Sequence, residues 1–266
     1  MFEFVHDLTL EQLALRCVGL TVGATWVGIV FLKPFLRLLV GREGDVNQSI
    51  SYATSVFSLF YGLLVGLLTV AAFQNADRVQ QNAFREAAMV GALYGDMDSY
   101  PEPMRSEMRG LLRDYVLYAI HKDWPAHREG RALTGGAHRA DAMRKRLASF
   151  QPEGPSQEIL HAEAMRVLHD FGEARQGRLG GVITRIPPVL WYAVAAGAAV
   201  NILLLVMLKM RPLQHLLLGG VASFFLGVML TVIIALDDPL RGVNGLEPRA
   251  FEALWTQQLR FDEPLG

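Results

Sequence analysis

Residues Ser49 to Phe73 read SISYATSVFSLFYGLLVGLLTVAAF and contain no charged side chain. A helix needs about 20 predominantly apolar residues to cross the hydrocarbon of a bilayer, and this stretch exceeds that. Backbone groups in hydrocarbon must be satisfied within the segment, so it reads as a helix. Placed at about 100° per residue, Ser51, Ser55, Ser58, Gly62, Gly66, Thr69 and Phe73 fall on one narrow face. Val56, Phe57, Leu59, Phe60, Leu63, Leu64, Leu67 and Leu68 cover the rest. One face is suited to lipid and the other is not. Small residues four apart let backbones approach and hydroxyls bond across helices, which is the commoner use of such a face. The second use is a pore lining, in which hydroxyl and backbone dipoles meet a dehydrating ion and Phe73 forms a constriction.

Three further stretches reach spanning length: Leu13 to Leu32, Pro188 to Leu208 and Leu213 to Leu236. Pro187, Pro188 and Pro212 stand near helix starts, where a missing N–H costs little. The first stretch is preceded by Glu3 and Asp7, with Glu11 close by, rather than by a basic region, so it reads as a retained span and not a cleaved signal. The expected fold class is an all-α membrane protein: four transmembrane helices in two hairpins, with a helical extramembrane middle domain. The expected parts are residues 1–75, 76–184, 185–236 and 237–266. Lys33, Pro34, Arg37 and Arg42 mark the first hairpin connection, and Lys209, Met210, Arg211 and Pro212 the second.

Residues 76–184 are polar and balanced, with 15 Lys plus Arg against 15 Asp plus Glu. Val79, Ala83, Ala87, Val90 and Tyr94 recur at steps of three or four, which predicts that the second span continues as one long amphipathic helix. A helix is expected over Glu102 to His121, ending at Trp124 and Pro125. Gly135 and Gly136 read as a loop, a short basic helix follows through Arg144, Lys145 and Arg146, and a last helix runs from Ser156 to about Arg178. The final residues are expected to form a loop and a short helix containing Phe251, Leu254 and Trp255, lying against the membrane surface or the middle domain.

Gly219, Ser223, Gly227 and Thr231 repeat the small-residue theme in the last span, and Asn201 stands near the centre of the third. These read as contacts between helices. The lone Cys17 can form neither an intrachain disulfide nor a thiolate cluster. His161, His169 and Glu173 match no zinc spacing, and Asp237 with Asp238 falls short of a calcium loop. No phosphate loop, nucleophile elbow or catalytic acid–base pair is spaced for chemistry, so neither an enzyme nor a cofactor is expected. The net charge of −1, with no basic face, argues against a nucleic-acid partner. Positive charge near the hairpins, counted literally, places the middle domain outside the cell, but Arg78, Arg85, Arg175, Arg178 and Arg185 flank the same spans on the opposite side, so the count leaves its side open.

Five segments in order carry a resemblance: FYGLLVGLLTVAAFQN (Phe60 to Asn75), YPEPMRSEMRGLLRDY (Tyr100 to Tyr115), Asp123-Trp124-Pro125, IPPVLWY (Ile186 to Tyr192) and ALDDPLRG (Ala235 to Gly242). They resemble the bacterial bestrophin-like domain membrane protein family. That resemblance implies an oligomeric, anion-conducting channel with four spans, its pore lined by the second helix and its helical domain cytosolic. The implied setting is multi-pass in the lipid bilayer of a bacterial inner membrane, as a homo-oligomer of pentameric type passing inorganic anions such as chloride. The chain departs from bestrophins in having no acidic run like their calcium clasp. The alternative is a non-conducting scaffold or sensor whose helical domain binds a partner.

Overall fold

The computed structural model describes residues 7–40 and 44–260; Glu3 and Arg42 lie outside them, and the side chain of Arg37 is likewise not described. The described residues form helices and no strand. In order these are α1 (Leu10–Val27), α2 (Lys33–Val40), α3 (Gly44–Asp96), α4 (Met104–Tyr118), α5 (Trp124–Arg128), α6 (Gly135–Ala148), α7 (Pro155–Ile183), α8 (Pro188–Met207), α9 (Pro212–Asp237) and α10 (Arg249–Leu254). Four of them are long and apolar enough to cross a membrane: Leu10–Leu36, Val46–Ser99, Pro188–Met207 and Pro212–Asp237. The chain divides into a membrane unit, residues 1–75 with 185–237, and a middle unit, residues 76–184 with 238–266.

Two prolines expected to break helices do not. Pro34 follows a π-helical segment, Gly28–Leu32, and Pro125 follows another, Ala119–Asp123. A proline inside an α-helix removes one hydrogen bond and presses its ring on the carbonyl four residues back. The wider π turn, bonded over five residues, relieves both demands. The first span therefore continues helically through Lys33 to Val40, where the sequence suggested a connecting segment. The fourth helix likewise passes through α5 and ends at Gly130, whose φ of 74° a residue with a Cβ would reach only with strain. Gly135 and Gly136, expected in a loop, open α6 instead.

In the membrane unit, α9 lies along α1 at the small residues. A Cβ on Gly227 would sit 2.6 Å from the Cα of Val18, and one on Gly219 would sit 3.1 to 3.3 Å from Ile29, Thr25 and Leu205. Thr21 Oγ1 donates to the Ser223 carbonyl oxygen at 2.8 Å, tying the same helices together. α3 packs its own buried line, Tyr61, Val65 and Leu68, against Val194 of α8 and Leu226 and Ile233 of α9. Tyr61 donates to the Val194 carbonyl at 3.1 Å. Near the hairpin connections, buried Lys33 donates to Nδ1 of buried His215, whose Nε2 donates to the Leu205 carbonyl at 2.9 Å. Asp237 accepts from the Ile186 N–H at 2.7 Å, linking the end of α9 to the approach to α8.

The middle unit has one apolar core. Val79, Ala83, Ala87, Val90 and Leu93 of α3 meet Met108, Leu112 and Tyr115 of α4, Met143 and Leu147 of α6, and Leu168 and Phe171 of α7. Gly181 opens a path for Val79 that a methyl group would fill. Phe251 and Leu259 from the C-terminal stretch are fully buried in the same core, so this stretch is part of the middle unit's fold.

Candidate functional site

Among the described residues, two polar arrangements bear on function, one in each unit. In the membrane unit the narrow polar face of α3 lies about a quarter turn from its buried line. Ser51, Ser55 and Gly62 are exposed, Gly66, Thr69 and Ser58 half-buried, and Phe73 is 59% exposed. A Cβ placed on Gly62 or Gly66 meets no atom within 4 Å. Within one protomer the glycines of this face therefore pack against nothing, whereas Gly219 and Gly227 on α9 are fully engaged. Ser58 differs from its neighbours on the stripe, because its hydroxyl donates to Asn201 Oδ1 of α8 at 2.7 Å. Two other hydroxyls bond back along their own helix: Ser55 to the Ser51 carbonyl at 3.0 Å and Thr69 to the Val65 carbonyl at 2.8 Å. This satisfies them without any partner helix.

The second arrangement is buried in the middle unit. Arg178 of α7 is fully buried and donates from Nε and Nη2 to the two oxygens of Glu86 on α3, at 2.6 and 3.0 Å. Such a bidentate pair fixes geometry as well as charge. Tyr115 of α4 donates its hydroxyl to the same carboxylate. The guanidinium carbon lies 4.7 Å from the centre of the Trp124 ring and 5.9 Å from that of Phe251, so the cation is flanked by aromatic faces. Burial, reinforced by the Glu86 charge, pushes the Tyr115 phenol well up from its ordinary value. Asp123 and His127 complete the cluster with Arg175, one turn before Arg178.

His127 Nδ1 lies 3.3 Å from Arg178 Nη1. A guanidinium only donates, so Nδ1 accepts and Nε2 carries the proton. Burial, with Arg178 and Arg175 beside it, pushes this imidazole down to about 3. A base whose folded value lies below its unfolded one contributes stability that is complete above the unfolded value and lost as pH falls below it. The window here opens near pH 6.5 and runs down toward 3. Relative to His127→Gln, the wild-type protein is expected to lose up to about 1.4 kcal/mol per pH unit through that window. Unfolding temperatures of both proteins in detergent between pH 7 and pH 4 check this, and parallel curves would show that the imidazole is not held neutral.

None of Glu86, Tyr115, His127, Arg175 or Arg178 stood out as functional in the sequence. The available signal was register. Glu86 interrupts the apolar positions Val79, Ala83, Ala87 and Val90, and Arg175 and Arg178 continue the line of Leu168 and Phe171. Charges in core register are buried charges, and those are paired.

A family model described as the Bestrophin-like domain matches residues 19–251. A comparison with curated proteins finds no match. Among solved structures, a substituted form of a bacterial bestrophin homologue from Klebsiella pneumoniae superposes with a TM-score of 0.68 at 10% identity, over 91% of this chain and 98% of that one. Another substituted form of that homologue gives 0.68 at 11% identity, over 91% and 97%. At such identity the likeness is one of fold, and it extends over both units. Taken with the family match, which runs from within the first span through the middle unit and the fourth span, it makes this chain a member of the Bestrophin-like domain family.

Proposed function

We propose that the protein is a homo-oligomeric anion channel of a bacterial inner membrane, with the polar face of α3 lining its pore. One observation carries the reading: the face bearing Ser51, Ser55, Gly62, Gly66 and Phe73 is left without a packing partner in the protomer, although it is the polar side of a membrane helix. Polar groups facing lipid are costly, so such a face belongs against other copies or against water. Copies arranged around an axis, five in the bestrophin pattern, give it both.

The hydroxyl protons of Ser55 and Thr69 are engaged with backbone carbonyls and that of Ser58 with Asn201, so selectivity for anions comes from charge rather than from these hydroxyls. Arg78 and Arg85, exposed on the continuation of α3, raise the local anion concentration by long-range attraction. Purified protein in liposomes is expected to pass chloride in preference to potassium, and raising the ionic strength is expected to weaken that preference by screening. Assembled, well-folded protein that passes no ion at any voltage or pH would replace this reading with a membrane scaffold whose middle unit binds a partner.

A further inference from the structure

Asp123 is the exception in the buried cluster of the middle unit. It is 0% exposed, and neither of its oxygens accepts a hydrogen bond from any described residue. The cations around it are engaged elsewhere or held off. Arg178 spends Nε and Nη2 on Glu86 and Nη1 on His127, and comes no nearer to Asp123 than 3.8 Å. Arg175 makes no hydrogen bond from Nε or Nη2. Yet Asp123 Oδ2 and Arg175 Nη2 crowd the same point, 2.7 and 2.9 Å from where a Cβ on Gly136 would stand. An acid and a base that do not touch thus share the space that the missing side chain of Gly136 leaves at the start of α6.

A buried carboxylate without hydrogen bonds costs several kcal/mol, whereas the neutral acid is far cheaper to bury. We propose that Asp123 is a proton-binding site in the core of the middle unit, and that its proton decides whether Arg175 closes on it. The neutral acid fits the arrangement described, with Arg175, 7% exposed, keeping an edge toward solvent. Ionised, Asp123 draws Arg175 in across the space beside Gly136, which changes the surroundings of the first turn of α6.

The charges that act on Asp123 are Arg178 and Arg175 of α7, Glu86 of α3 and Arg139 of α6. His127 of α5 is neutral and the Tyr115 hydroxyl of α4 is turned to Glu86. Burial outweighs the two arginines and raises the Asp123 carboxyl, in the direction the geometry requires.

Infrared difference spectra of the full-length protein in detergent, recorded against pH, test this directly. Wild type is expected to show the carbonyl band of a protonated carboxylic acid persisting well above about pH 4, the ordinary range of aspartate, and Asp123→Asn to lack it. Hydrogen exchange at Gly136, Ala137 and His138 is expected to change at the same midpoint in wild type, and to follow only the intrinsic pH trend in Asp123→Asn. Arg175→Gln removes an attracting charge and is expected to move the midpoint upward. A wild-type spectrum without that band means Asp123 is a permanent ion and overturns the proton site. A band with no coupled change at α6 overturns the closure, and an Arg175→Gln midpoint that stays or falls overturns the pairing.

Discussion

Phe73→Ala is expected to change ion flux through reconstituted protein by about tenfold while leaving its unfolding temperature unchanged. The reasoning starts from exposure. Phe73 is 59% exposed in the protomer and lies outside the apolar clusters, so truncating it removes little packing. A phenyl ring at the end of a polar stripe is a place where an ion sheds water with nothing to replace it, and that sets a barrier. A barrier change of about 1.4 kcal/mol gives the tenfold effect. Ser58→Leu is expected to behave in the opposite way. Its hydroxyl donates to Asn201 at 2.7 Å, and removing that donor leaves an amide oxygen unpartnered inside the membrane unit. Ser58→Leu should therefore lower stability by about 1 to 2 kcal/mol, with any loss of flux following loss of assembly. Flux that is indifferent to Phe73→Ala, measured on oligomers of unchanged size, would remove this face of α3 from the pore.

The contrast between Ser58 and Phe73 shows where sequence reasoning stops. Helical periodicity put both on one face, and both are on it, because a 25-residue apolar helix has little freedom in how its residues are arrayed. What periodicity does not contain is the neighbour. Asn201 is 143 residues away, and its alignment with Ser58 depends on how α8 seats against Tyr61, with Gly197 giving room for that ring. The same holds for the prolines. Pro34 and Pro125 are local signals for a break, and each is overridden by a π turn placed just before it.

The four apolar helices and the helical middle unit were legible because hydropathy and period are local properties summed over many residues. The buried cluster was not, since its members come from α3, α4, α5 and α7 and each looks ordinary alone. Arg178 in a chain with balanced charge reads as a solvated arginine. Only its register with Leu168 and Phe171 on α7, and that of Glu86 with Ala83 and Val90 on α3, marks the two as facing each other.

Glu86→Gln is expected to cost about 3 to 5 kcal/mol of stability, the largest effect of any single substitution considered, although it exchanges one oxygen for an NH2 group and barely changes the shape. The side chains of Glu86 and Arg178 are both 0% exposed, so each has given up its hydration entirely. Removing one charge does not merely delete an attraction. It leaves the guanidinium buried without a counterion, with Asp123 no nearer than 3.8 Å, and that residual desolvation dominates the loss. Tyr115→Phe, which deletes a hydrogen bond to the same carboxylate, should cost about 1.5 to 3 kcal/mol. The decisive comparison is the double substitution Glu86→Leu with Arg178→Met, which removes both charges and fills the space with apolar atoms. It is expected to be more stable than Glu86→Gln alone, because no ion is stranded. The unfolding of the middle unit can be followed by the fluorescence of Trp124, whose ring lies 4.7 Å from the guanidinium carbon. If the double variant proves less stable than the single one, the pair does more than neutralise itself, and its rigid fork is what holds α3 and α7 in register.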